Sequence, residues 1–299
     1  MRLTCLLALP LVALLGCSST DPATPGASND DGGGNSGGGT GGSGTDGGAV
    51  SDSGSHGGNT TTTPDGGTLV AGNPDGSCKA GVPAAGQLAD VSTPTTVVGT
   101  GAAASCTFAA LDTAVKAGGI ITFNCGSAPT TIAVTSTLNL PTDKNTVIDG
   151  GSKITLDGGS SVQIMVWNSG YFQHLDTRLT LQNITFANGK IAGSEPIPKA
   201  DPPCSQGFNA GEGGALFMRD GNLTVINSIF TNNEAATSGP DVGGGAIRML
   251  GSKNGAIIVG STFTNNRASN GAAVGCLFSE LDVYNSLFDG NTATGHDAN

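Results

Sequence analysis

The residues able to do chemistry in this chain of 299 residues are few and scattered. Its later part carries Arg219, Asp220, Arg248, Lys253, Arg267, Glu280, Asp282 and Asp289. A close pair of carboxylates would suit hydrolysis of a glycosidic bond, and a cluster of them would hold a calcium ion. Repeats built around Phe186, Phe230, Phe263 and Phe288 sort these side chains into columns. Arg219 aligns with Leu250 and Leu277, Asp220 with Gly251 and Phe278, and Arg248 with Phe217 and Gly275. No column stacks carboxylates on adjacent repeats, and no three acids gather. The charges read as solvated surface, with Arg219, Asp220 and Arg248 as the candidates for touching a ligand. His56, His174 and His296 lack metal-ligand spacing. The glycine runs lack both the strand–Gly-x-Gly-x-x-Gly–helix context and a Gly-Lys-Ser/Thr, so no phosphate loop is implied. The expectation is no catalytic residue, no metal and no cofactor.

The elements that must position these residues are legible in the repeat itself. Four segments end on the same ring: Leu179 to Phe186, Leu223 to Phe230, Ala256 to Phe263 and Leu281 to Phe288. Seven residues before each Phe stand Leu179, Leu223, Ala256 and Leu281; five before it stand Leu181, Val225, Ile258 and Val283. An apolar column at every second residue is a strand with one face buried. Three residues before each Phe stand Asn183, Asn227, Gly260 and Asn285, and three after it Gly189, Asn233, Asn266 and Asn291. Both columns read as corners, because Asn and Gly tolerate bent or left-handed backbone. A second strand precedes each later copy, with Leu216/Met218, Ile247/Met249 and Val274/Cys276 inward and Phe217, Arg248 and Gly275 outward. The Phe-to-Phe spacings are 44, 33 and 25 residues, so the longer two contain inserts. Period-two alternation excludes helical repeats and leaves stacked β-turns of a coil, with a β-sandwich as the alternative. In a stack, like side chains lie about 4.8 Å apart, so Asn can bond to Asn and Phe can lie on Phe.

This pattern resembles the right-handed parallel β-helix proteins of the pectate-lyase-like fold. More narrowly it resembles bacterial surface lipoproteins carrying Gly-Gly-Ala-Ile and Asn-Ser-x-Phe-x-x-Asn repeats. The resemblance covers about Ser77 to Asn299 and implies an all-β solenoid with a short N-terminal capping helix. Lyases of that fold use an Arg or Lys base beside carboxylates that hold Ca2+, which this chain would need only if it were such an enzyme.

The chain begins with Arg2 and an apolar run too short to span a bilayer, an export signal over residues 1–17. It ends in Leu14-Leu15-Gly16-Cys17, which resembles a lipobox; that match makes Cys17 the lipidated first residue, against a plain secretory signal. Ser18 rather than Asp after it favours the outer membrane by the same analogy. Residues 18–77 are Gly, Ser, Thr and Asp with almost nothing apolar, and read as a disordered stalk. Its seven acids, from Asp21 to Asp75, serve solvation. From Cys78 a domain of about 220 residues follows, its 16 acids against 11 Lys and Arg. That mild acidity argues against nucleic acid as a partner. Residues 105–119 hold the one good helix, with Phe108, Leu111 and Val115 on one face and Ser105 or Thr107 at its start. Cys106 and Cys125 flank it and are expected to form a disulfide; Cys78, Cys204 and Cys276 leave an odd count, Cys276 as a buried thiol. Inserts at 190–212 and 235–242 are where recognition would concentrate. The pattern stops after Gly295 without a terminal cap, which reads as a truncated coil.

Two roles fit this outline. One is a lipid-anchored, surface-displayed, non-catalytic binder of glycans or a neighbouring cell, an adhesin-like extracellular protein of the cell outer membrane. The other is a polysaccharide lyase or glycoside hydrolase with its site in the inserts or in further repeats. Fold alone does not choose between them.

Overall fold

Short apolar-x-apolar runs bounded by Gly and Asn cannot bury both faces alone, so each repeat must lean on the next. The computed structural model describes residues 60–62, 68–73, 81–191, 212–237 and 242–295. A hairpin comes first, β1 (Thr60–Thr62) antiparallel to β2 (Thr68–Val70). Next are β3 (Thr96–Val98), α1 (Phe108–Ala117), β4 (Gly119–Phe123), β5 (Thr130–Ala133), β6 (Leu138–Asn139), β7 (Thr146–Asp157) and β8 (Met165–Asn168). The repeats then supply β9 (Arg178–Ala187), β10 (Leu216–Arg219), β11 (Asn222–Ile226) and β12 (Ile229–Thr231). After these come β13 (Ile247–Leu250), β14 (Ala256–Val259), β15 (Thr262–Thr264) and β16 (Arg267–Ala268). The last are β17 (Val274–Leu277), β18 (Leu281–Tyr284), β19 (Leu287–Asp289) and β20 (Thr292–Ala293).

The protein is all-β, and among the described residues every strand pairing outside the hairpin is parallel. One sheet runs β17-β13-β10-β8-β6; another runs β18-β14-β11-β9-β12-β15-β19 and continues through β7 to β4, β5 and β3. These stacked parallel sheets are compatible with a solenoid. Register follows the expected columns: Leu223 pairs with Leu179 and Ala256, and Phe230 with Phe186 and Phe263. The four rings stack face to face, with centroids 4.8, 4.8 and 4.9 Å apart along the series. Between the sheets runs one continuous core containing Trp167, Leu181, Phe186, Met218, Val225, Phe230, Met249, Ile258 and Phe263.

Asn183, Asn227, Gly260 and Asn285 are corners as expected, each with left-handed φ between +42° and +54°. The second corner column lies one residue earlier than expected, at Asn188, Asn232, Asn265 and Gly290. Asn233, Asn266 and Asn291 instead form a hydrogen-bonded ladder. The Asn233 N–H and side-chain amide both donate to Asn266 Oδ1 at 3.0 Å. Those of Asn266 donate to Asn291 Oδ1 at 3.0 and 2.8 Å. Each ladder amide also donates to the carbonyl after a stacked ring: Asn233 to Phe186, Asn266 to Phe230 and Asn291 to Phe263.

α1 starts one residue after Thr107, whose hydroxyl accepts from the Ala110 N–H at 3.2 Å. It buries Leu111, Ala114 and Val115 and packs on β3 and on β6, an edge strand. The Cys106–Cys125 disulfide ties its start to the end of β4, with Cα atoms 5.6 Å apart.

Three expectations are corrected. Residues 68–73, assigned to the disordered stalk, are docked on the repeats: Thr262 Oγ1 donates to the Val70 carbonyl at 2.7 Å and accepts from the Gly72 N–H at 3.0 Å. Gln182, Thr224 and Ile257 stand between the inward columns yet are buried. The segment at 84–89 lies over them, Thr224 Oγ1 donating to Ala85 O and Gln182 exchanging two bonds with Ala89. Finally, Phe217 and Arg248 are in the expected register but are buried rather than solvated. The Cys17 lipidation, the signal, most of the stalk, Cys78, Cys204 and most of the insert at 190–212 lie outside the described residues.

Candidate functional site

The β10, β13 and β17 strands end at one corner, where three successive repeats place Asp220, Gly251 and Phe278. All three have left-handed backbone, with φ of +65°, +64° and +52°. The same geometry does three different jobs. Asp220 is fully buried and gathers the loop that follows β8. Its Oδ1 accepts from the N–H groups of His174, Leu175 and Gly221 at 2.8–3.0 Å, and its Oδ2 accepts from Ser169 Oγ at 2.8 Å. Burial alone would raise its pKa, but these donors outweigh it and hold the carboxyl below the usual range. Gly251 leaves the space that the Phe172 ring occupies; a side chain there would collide with it. Phe278 presents its ring edge-on to Phe172, centroids 5.4 Å apart at 71°.

The loop itself is pinned at several points. Asn168 Oδ1 accepts from the Gly170 N–H, and Ser169 Oγ from the Tyr171 N–H. The Gln173 N–H donates to Gly251 O at 2.8 Å, and its amide to Phe278 O at 3.1 Å. Arg219 Nε donates to Tyr171 O at 3.1 Å, which sets the guanidinium beside the loop. Tyr171 lies 5.2 Å from His174, ring to ring. The result is a platform of Tyr171, Phe172 and Phe278, exposed by 63, 43 and 59%, edged by Arg219, Gln173 and His174. At its foot Lys253 meets Asp176 at 2.9 Å, and the hydrogen bond from Lys253 holds that carboxyl low.

Large exposed rings with a polar rim mark recognition surfaces. Flat rings suit the C–H faces of sugars, while Arg, His and Gln can bond to hydroxyls or a carboxylate. The geometry offers contact and orientation. Among the described residues no three His, Cys, Asp or Glu side chains are grouped to hold a metal ion.

Arg219 and Asp220 therefore sit together at this corner, Arg219 at the rim and Asp220 beneath it as an anchor. Arg248 belongs elsewhere and is withdrawn as a ligand-contacting residue. Its guanidinium is buried against Gly275 and faces the buried Glu212 carboxylate at 3.4 Å. A buried pair of this kind fixes local structure and offers little to a ligand. Cys276 is a half-buried free thiol whose pKa burial pushes up to about 11, against the opposing pull of Arg248. Tyr171 and Phe172 fall outside the repeat columns because residues 168–175 carry no period, whereas Phe278 stands in the Asp220 column, where its contact with that loop has no signal. The available signal is composition, two adjacent aromatics in a chain with 4% aromatic residues.

Compared with protein-family models, with curated proteins and with solved structures, the chain has no significant match.

Proposed function

We propose that this chain is a lipid-anchored, surface-displayed protein that binds glycans without turning them over. In this reading the stacked sheets are a right-handed parallel β-helix capped by α1 and held off the outer membrane by the stalk after Cys17. The observation that carries the reading is the aromatic platform: Tyr171 and Phe172 sit on a loop joined to its frame by seven hydrogen bonds, and Phe278 on the frame itself. Exposed rings cost solubility, and such a pinned display is what a binder needs: contact area supplied by groups already fixed, so little ordering is required on binding. The stack of Phe rings and Asn amides supports the β-helix, because successive turns of one coil put like residues on like at every repeat. Supporting the anchor are the short apolar run and Leu14-Leu15-Gly16-Cys17.

Binding is measured with the full chain carrying Cys17→Ser, against neutral and acidic polysaccharides. A Tyr171→Ala/Phe172→Ala variant is expected to lose at least about tenfold in affinity with its melting temperature unchanged, since truncating central aromatics costs on the order of 1–2 kcal/mol or more. Equal binding by the variant removes the platform from the reading. Turnover of polygalacturonate or alginate, abolished by a chelator, replaces the binder with a lyase. Metabolic labelling with palmitate, lost in Cys17→Ser, checks the anchor.

A further inference from the structure

The rim of the platform holds a cation that meets no acid among the described residues. Arg219 takes part in none of their ion pairs. Its side chain leaves β10 on the outward side, where its register partners are Asn168, Leu250 and, one repeat further, Leu277. Nε is spent on Tyr171 O, which sets the guanidinium beside that ring and leaves its two terminal nitrogens without a partner among the described residues. The acids around the loop are already engaged. Asp220 is fully buried beneath it, both carboxylate oxygens taken by donors of the loop and the corner. Asp176 is paired with Lys253 at 2.9 Å and accepts from Asn254 at 3.4 Å. The remaining titratable group, His174, lies against Tyr171.

We propose that the glycans taken by this platform carry an anionic oxygen group, a carboxylate or a sulfate, and that Arg219 selects them. The proposal rests on the platform reading above and adds the chemical class of its ligand. A guanidinium presents a planar fork that matches two oxygens of one anion, and a hydrogen bond to a charged acceptor is about twice as strong as one to a neutral hydroxyl. The two parts of the site then do different work. The rings of Tyr171, Phe172 and Phe278 cover the C–H face of any sugar, charged or not, and supply contact area. Arg219 tells one sugar from another, because only an anion repays the withdrawal of its terminal nitrogens from water. The surrounding charge sharpens this choice. From Cys78 onward 16 acids stand against 11 Lys and Arg, so an anionic glycan is repelled by the domain as a whole and finds its opposite charge at this rim.

The test uses the full chain carrying Cys17→Ser and two pairs of polymers whose members differ only in charge. One pair is hyaluronan and hyaluronan with its carboxyls reduced to alcohols; the other is dextran sulfate and dextran. The native chain is expected to bind the charged member of at least one pair about tenfold more tightly at low salt, and the pair that shows the gap identifies the anion. Most of that gap is expected to close at about 1 M salt. Arg219→Gln is expected to bring the two members to within about twofold of each other, with affinity for the neutral member and melting temperature unchanged. Arg219→Lys, which keeps the charge and loses the fork, recovers part of the preference. Equal binding of charged and neutral members by the native chain overturns the proposal and leaves the platform standing, as does an Arg219→Gln variant that weakens both members alike. A Tyr171→Ala/Phe172→Ala variant that binds every polymer as the native chain does removes the platform reading, and this proposal with it.

Discussion

Replacing Asn266 by Ala removes the middle member of the amide ladder and tests whether the ladder, beyond the apolar columns, holds the repeats together. Asn266 is fully buried. Its side chain makes four hydrogen bonds: Oδ1 accepts two from Asn233, and Nδ2 donates one to Phe230 O and one to Asn291 Oδ1. A buried bond contributes about 1 kcal/mol net, and a buried donor left unsatisfied costs about 1–3 kcal/mol. Losing all four, with the Asn233 N–H and amide left facing an apolar methyl, comes to about 4 kcal/mol. The Asn291→Ala change removes three bonds, but Asn291 is half exposed and water replaces part of them, so about 1–2 kcal/mol is expected there. Urea unfolding followed by far-ultraviolet circular dichroism reads the difference. With a slope of about 2 kcal/mol per molar, Asn266→Ala moves the midpoint down by about 2 M and Asn291→Ala by less than about 1 M. Asn266→Asp keeps size and acceptor but turns the donor into a carboxylate facing two oxygens, and is expected to fare no better than Ala. Equal, small shifts for the two Ala variants would refute the ladder as a source of stability.

Two further outcomes follow from the same geometry. Because Asp220 has its folded pKa depressed, its contribution is fully present above the unfolded value of about 4 and is lost as pH falls through the folded value. The protection of the His174 and Leu175 amides, their exchange rates taken relative to the intrinsic rate at each pH, is therefore expected to fall below about pH 4 in the native chain and to be low and nearly flat with pH in Asp220→Ala. Removing the disulfide with Cys106→Ser/Cys125→Ser frees a 19-residue separation and is expected to cost about 3 kcal/mol, read as a lower urea midpoint that matches the native chain under reductant.

Where position is set by a period, the sequence carried the answer. The columns through Leu181, Phe186 and Asn183 repeat at fixed offsets, so strand faces, ring stacking and one corner followed directly. The ladder column was legible but its backbone was not. Asn232 and Asn233 are both Asn, and only the bonds from Asn233 to Asn266 show which one bends and which one bridges. Aperiodic segments were silent. The Gly-Pro-Ala stretch at 81–89 gives no hint that it covers Ile257, and nothing near Arg248 announces that Glu212 would be folded in beside it. An outward position in a strand predicts exposure only while no other segment lies across it.

The platform sits at a corner for a physical reason. A repeat's inward columns are fixed by neighbours above and below, so Phe230 or Ile258 cannot change without disturbing two layers. Corner residues answer only to a backbone requirement, here a left-handed φ. Within that requirement Asp220, Gly251 and Phe278 differ completely in chemistry, and stacking places them one spacing apart. An acid that anchors, a glycine that makes room and a ring that completes the surface then assemble from three consecutive repeats, with the inward columns of β10, β13 and β17 left intact. Such a scaffold can exchange what it displays at one corner while its fold stays the same, which is why repeats that specify architecture so firmly say so little about the ligand.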